Sequence, residues 1–316
     1  MKINSPVVAL SDNKITKKIS VTVSGPNAPK LPVEYDMVFN TTAMGPLQQM
    51  NLDGLGLPDN ILTGIRSLSY DRATKFAIKF KTPWWQPSSL PPTTIYGGIS
   101  GSDLPISNVV YPSCNDGPNN PAVLMVSYSW AQDATRMASL VHNTAPPQKD
   151  DPIVTLCLKN LVTLWGDRPD SPSFEFLSDQ YMTHHAWAWS HDRWTGGAFA
   201  LFGPGQFSNV YSGFQELFCG GRFAMCGEAL SAHHAWISGA LDSVDYKLHM
   251  FLHSKGRLDD REKLKASPIF GGGAGKHIEE MDDELVRWGV LLGAGGGPKG
   301  WGDELNLRKG KKEGQK

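Results

Sequence analysis

The sequence predicts an α/β chain, and three observations predict it. Residues 1–40 hold three short apolar runs, "PVVAL", "KISVTV" and "EYDMVFN", separated by polar or Gly/Pro turns. "ATKFAIKF" alternates polar and apolar residues with the period of a half-buried strand. "DDPIVTLCLKNLVTLWG" spaces its apolar residues as a helix does.

Taken in order, the opening strands have no preceding helix to cover them. They read as the middle of a sheet, with exposed strand edges at "PVVAL" and "KISVTV". "LPDNILTGIRSL" is a helix with Pro58 near its first turn and Ile61, Ile65 and Leu68 on one face. "ATKFAIKFKTPWW" is a strand that turns at Pro83. Residues 86–120 are rich in Pro, Gly and Ser, which predicts long loops around the short strand "NVVYP"; the strand "AVLMVSYSW" follows. In the next helix Asp151 is placed to cap, Pro152 fits the first turn, and Ile153, Leu156, Leu161 and Leu164 form the buried stripe. "HHAWAWSHDRWTGGAFALFGPGQ" should run strand, turn, strand. After "CGEALSAHH" a helix is expected near His234, turning Ala235, Ile237, Ala240, Leu241, Val244 and Leu248 inward. Its small residues Gly239 and Ala240 imply a close neighbour, either a helix or a ligand. "HIEEMDDELVRWGVLLGAGGG" reads as a helix with Ile278, Met281, Leu285, Trp288 and Leu292 on one face, and "RKGKKEGQK" as a disordered tail.

Composition narrows the function. Thirty basic and 31 acidic residues leave a net charge of -1, which argues against a nucleic-acid partner and for a small molecule. Cys114, Cys157, Cys219 and Cys226 occur singly and read as buried thiols, not as a zinc site or disulfide framework. The N-terminal stretch carries no hydrophobic run of signal length, and no 18-residue apolar run exists, so no membrane span is expected and the compartment stays open. Tryptophans at 84, 85, 187, 189, 194 and 236 suggest a planar ligand or a broad aromatic wall.

Several motifs invite chemistry they do not support. His184-His185 and His233-His234 are adjacent pairs whose members diverge, so they read as wall or capping residues before metal ligands. "GGGAGKH" and "GAGGGPKG" lack phosphate-loop spacing or context, and "GGISGS" lacks the nucleophile elbow. Lys75, inside an apolar strand, either faces solvent or holds water and stabilises an anion in a cavity.

In sequence order, "YDMVFNTT", "LSYDRATKFAIKFKTPWW", "DLPISNVVYPS", "WSHDRWTGGAFALFGPGQ" and "RFAMCGEALSAHHAWISGALDS" resemble the C-terminal half of a flavin-dependent amine oxidoreductase, nearest to L-amino acid oxidases. The resemblance implies a partial FAD-binding domain of glutathione-reductase-like Rossmann type, formed by residues 1–50 and 200–255. It also implies an inserted α+β substrate domain of mixed sheet at 51–199 and a C-terminal extension, one helix and a tail, at 256–316.

By the same resemblance Gly227, Glu228, Trp236, Ile237 and Trp189 bind the cofactor FAD. Phe199 and Trp236 wall the substrate, Tyr111 meets its carboxylate, and Lys75 holds a water near the flavin. The implied reaction is oxidative deamination of L-amino acids by O2. A monoamine or polyamine oxidase, or a non-catalytic subunit needing a partner chain, is the alternative. No strand-glycine-helix unit carrying the GxGxxG fingerprint is read in the chain, so a truncated product, one piece of a processed or split enzyme, or an inactive remnant is expected.

Overall fold

Turn residues and alternation place the elements of the computed structural model, which describes residues 2–86, 97–114, 116–166 and 168–266. The chain opens with β1 (Val7–Asn13), β2 (Lys18–Val23), β3 (Val33–Tyr35), β4 (Val38–Asn40), α1 (Met44–Gln48) and α2 (Asp59–Ser67). There follow β5 (Tyr70–Asp71), β6 (Ala73–Phe80), β7 (Gly98–Gly101), β8 (Asn108–Tyr111), β9 (Ala122–Trp130), α3 (Ala131–Ala138), α4 (Pro152–Trp165), α5 (Phe174–Gln180) and β10 (Tyr181–Ala188). Last come β11 (Phe199–Ala200), α6 (Gln206–Asn209), β12 (Phe223–Met225), α7 (Ile237–Ser254) and α8 (Leu258–Lys265). The helix expected around residues 278–292, the glycine-rich stretches beside it and the tail lie outside the described residues.

Two compact units divide the chain, one formed by residues up to Ser69 and from Phe199 onward, the other by Tyr70–Ala198. The first unit extends past the expected boundary at residue 50 because α2 is packed into it. Ile61 and Ile65 are buried, and a Cβ on Gly64 would stand 2.6 Å from both Phe214 and Val210. Within this unit β1, β2 and β3 form an antiparallel sheet in that order, while β4 and β12 pair in parallel. "KISVTV" is therefore a central strand, not an edge. The outer edge of β1 is met by Asn51, which donates to Val8 O and accepts from Leu10 N, each at 2.9 Å. A contact so distant in sequence leaves no local signal. Asp12, its carboxylate buried, accepts from Arg222 with both oxygens at 2.8 Å and so ties the β-meander to the turn before β12.

The second unit is built on a five-stranded sheet of order β10-β6-β9-β8-β7. Each of its ladders is antiparallel, which corrects the expected mixed sheet. β9 and β10 do run the same way, joined through α3, α4 and α5, but β6 lies between them and opposes both. One face carries the core: Phe76, Ile78, Phe80, Leu124 and Val126 pack with Ile153, Val154, Cys157, Leu158 and Leu161 of α4 and Leu177 of α5. The expected α4 stripe thus recentres, with Leu156 and Leu164 only partly buried. Asp151 stands at the N-cap of α4 without capping it. Its Oδ2 accepts from Gln148 N at 3.0 Å and lies 3.4 Å from Nε2 of His184, whose Nδ1 is 2.9 Å from the Tyr181 hydroxyl. All four cysteines are unbridged, but only Cys157 and Cys226 are buried; Cys114 is exposed and Cys219 half-buried, contrary to expectation.

Candidate functional site

The "CGEALSAHHAWI" stretch folds as a tight return from β12 into α7. Three buried residues, Phe223 to Met225, anchor its start. Gly227 follows at φ 124°, a conformation glycine adopts freely and other residues resist, and its N–H donates to Ser243 Oγ at 3.0 Å. Glu228 to Leu230 make one 3-10 turn, and the half-buried Glu228 carboxylate turns back on the chain's own amides. Its Oε1 accepts from Ala200 N at 3.0 Å and from Ala235 N at 2.7 Å, and Oε2 accepts from Ala200 N at 3.2 Å. Burial raises the pKa of Glu228 while the two backbone bonds pull it down. Ala235, a non-glycine residue at φ 65°, then delivers Trp236 as N-cap of α7.

That helix end is unlike the one expected. α7 begins at Ile237, and the anticipated stripe is only partly inward: Ile237 is 83% and Leu241 47% exposed, whereas Ala240, Val244 and Leu248 are half-buried. The buried residues are Gly239, Ser243, Asp245, Lys247, His249 and Met250, and of these Ser243 and Lys247 are drawn in by backbone partners that apolar periodicity does not register. Lys247 is fully buried and donates to Phe214 O at 2.7 Å and Glu216 O at 3.2 Å; burial takes its pKa down to about 7. Asp245 and His249 approach within 3.5 Å, burial pushing the acid up to about 6 and the imidazole down to about 4. The close neighbour of Gly239 is the preceding loop, since a Cβ there would stand 2.1 Å from the His233 carbonyl oxygen. No side chain caps α7, and Trp236 is 68% exposed beside its first amides. A positive helix end thus opens beside a flat aromatic surface, an arrangement suited to an anionic or carbonyl-bearing planar group.

The adjacent histidines diverge in both places. His234 stacks on Phe207 at 5.2 Å and meets Phe202 edge-on at 4.3 Å, whereas His233 is exposed, 3.9 Å from Asp242. His184 packs on Phe76 at 5.0 Å while His185 stacks on Trp187 at 5.8 Å. Among the described residues no group of three or more His, Cys, Asp or Glu is arranged to hold a metal, and no helix is long and apolar enough to cross a membrane.

In the second unit, the sheet face opposite the core carries an aromatic row. Lys75 stands in register between Trp187 of β10 and Tyr128 of β9, its ammonium 4.8 Å from the Tyr128 ring centroid. Trp189, in a 3-10 turn after β10, meets Trp187 edge-on at 6.2 Å. Tyr111 packs against the core, and its hydroxyl accepts from Ser100 Oγ at 3.2 Å. Of the expected residues, then, Gly227, Glu228, Trp236 and Ile237 share one loop and Phe199 adjoins the Ala200 held by Glu228. Lys75 is in register with Trp187, which Trp189 meets edge-on, and Tyr111 lies two strands from Lys75. Sequence reasoning missed Tyr128, which register alone brings to Lys75, and Lys247. It also missed Asp245–His249, whose spacing of four residues on α7, like that of His249 and His253, is visible in the sequence.

Comparison with known proteins adds a third line of observation. A family model described as flavin containing amine oxidoreductase matches residues 1–243. L-amino-acid oxidase 4 of Hebeloma cylindrosporum is 34% identical over 256 residues, covering 79% of this chain and 39% of that protein. An L-amino-acid oxidase of Siganus canaliculatus is 30% identical over 211 residues, 66% of this chain and 35% of that protein. A solved structure of a putrescine oxidase variant shares the fold, with a TM-score of 0.56 at 16% identity, over 80% of this chain and 49% of that one. The chain spans less than half the length of each.

Proposed function

The chain belongs to the flavin-containing amine oxidoreductase family, and from that premise we propose that it supplies the isoalloxazine-binding and substrate-facing parts of an L-amino acid oxidase, which yields 2-oxo acids, ammonia and hydrogen peroxide. The observation that carries the reading is the amino end of α7, uncapped by any side chain and flanked by exposed Trp236 and Ile237. The residues present fit the ring end of FAD. Among the described residues no strand-glycine-helix unit of the kind that would hold its diphosphate occurs, so the remaining length of the relatives belongs to the complete activity.

Bound FAD supplies the hydride acceptor and passes the electrons on to oxygen. In this reading the Ile237 N–H and the α7 dipole hold the pyrimidine carbonyl and stabilise negative charge there. Gly227 admits the backbone close to the cofactor, and Trp189 packs on the ring. Phe199 and Trp236 align the amino group and Lys75 holds a water, whereas Tyr111, packed against the core on the other side of the sheet from Lys75, is given no carboxylate role in this reading. The reading is tested by joining this chain to a dinucleotide-binding half and measuring peroxide from L-amino acids, monoamines and polyamines. Peroxide from L-amino acids is expected; turnover of amines alone overturns it.

A further inference from the structure

Trp236 is held by something other than packing, for it is 68% exposed. Phe199, only half-buried, opens a strand of two residues. Both adjoin a residue whose amide is bonded to the same carboxylate. Glu228 takes Ala200 N with both oxygens, at 3.0 and 3.2 Å, and Ala235 N with Oε1 at 2.7 Å. Ala200 directly follows Phe199, and peptide planarity places the Phe199 Cα in the plane whose N–H Glu228 holds. Ala235 directly precedes Trp236. Its φ of 65° is a strained choice for a residue with a Cβ, and such a conformation persists only where its surroundings over-determine it.

The loop around Glu228 is tied at further points. Ser231 Oγ donates to Glu228 O at 2.8 Å, His233 N donates to Ser231 Oγ at 3.2 Å, and the His233 carbonyl sits against Gly239. These bonds fix the turn, but none of them reaches Ala200. The Glu228 carboxylate links the backbone of the 199–200 strand directly to that of the turn into α7.

We propose that Glu228 is a positioning residue, a two-point clamp that sets Phe199 and Trp236 in one frame by holding the amides of Ala200 and Ala235. Its consequence for substrate alignment rests on the flavin reading above; the clamp itself does not. Charge-assisted bonds to a carboxylate are stronger than neutral ones and directional, so two walls that packing leaves loose gain a fixed relation.

The test is amide NMR of the 316-residue chain labelled with 15N-alanine, titrated with acid. The Ala200 and Ala235 amide protons are expected to shift together with one midpoint, above the ordinary glutamate range because burial raises Glu228. The other titratable groups on the segments packed around it are His233, His234, Asp242 and Tyr211, all of which Glu228→Gln leaves in place. Glu228→Gln should abolish the shared titration at both alanines while the Ala9 amide of β1 keeps its shift. Separate midpoints, or a titration that survives in Glu228→Gln, overturns the clamp, and the wild-type titration decides even if the variant folds poorly. Flavin content of the complete enzyme is read apart. Shared titration without flavin sinks the functional reading and supports the clamp, whereas full flavin without shared titration overturns the clamp alone.

Discussion

Lys247→Met separates two accounts of why α7 buries a lysine. The ammonium is fully enclosed, and its pKa falls to about 7 from an ordinary 10.5, chiefly through burial, with Cys226 and Glu216 opposing. In the window between those values the unfolded chain binds more protons than the folded one, so this group's contribution to stability rises with pH. A gap of about 3.5 units corresponds to roughly 5 kcal/mol in full, and between about pH 7.5 and 9.5 to about 2 to 3 kcal/mol. Burial raises Tyr211, Cys157, Cys219 and Cys226 in the folded chain and gives each its own pH dependence, so the useful quantity is the difference between wild type and variant. Below about pH 7 the methionine removes the burial penalty but leaves Phe214 O and Glu216 O unpaired, two effects of opposite sign. Denaturant midpoints at a series of pH values should therefore show wild type gaining on Lys247→Met as pH rises. A difference that stays flat from about pH 7 to about 10 refutes the reasoning, because the lysine would then keep an ordinary pKa.

Three further outcomes are expected. Ala235→Gly relieves the left-handed Cβ at φ 65° against glycine's extra chain entropy, a net gain of about 0.5 to 1 kcal/mol, read as a higher denaturant midpoint at unchanged slope. Tyr181→Phe removes the hydroxyl 2.9 Å from His184 Nδ1 and should cost about 1 kcal/mol; an unchanged midpoint would show that water replaces it. In the complete enzyme Lys75→Met should slow oxidation of the reduced flavin by roughly 10²- to 10³-fold and leave reduction nearly unchanged, as stopped-flow traces of the two half-reactions would report.

What the sequence shows well is what local periodicity controls. The alternation of "ATKFAIKF" and the helical spacing of "DDPIVTLCLKNLVTLWG" reappear as β6 and α4, because each pattern is decided by neighbours two to four residues away. Pro58 starts α2 and Pro152 starts α4 for the same reason. The inward face of α7 was misjudged because hydropathy ranks Ser243 and Lys247 as outward, and only the distant acceptors and donors at Phe214, Glu216 and Gly227 bring them in. The antiparallel course of the five-stranded sheet likewise depends on β6 entering between β9 and β10, an event without a local signature. For the candidate site, "GEALSAHHAWI" marked the loop, yet the capture of Ala200 by Glu228 lay hidden in a separation of 28 residues.

The parallel pairing of β4 with β12 also has a consequence for the order of assembly. Asn40 and Phe223 lie roughly 180 residues apart, a closure whose entropy alone costs about 5 kcal/mol for a flexible chain. The intervening unit brings its own ends together, Ala198 N donating to Asp71 O at 3.0 Å. Once it has folded, the flexible length between β4 and β12 shrinks to roughly 55 residues and the closure becomes about 1 kcal/mol cheaper. Residues 70–198 thus act as a preformed staple for the discontinuous unit around them. During synthesis they emerge before β12 does, so a slow or damaged insert delays strand pairing in a part of the molecule that contains none of its residues.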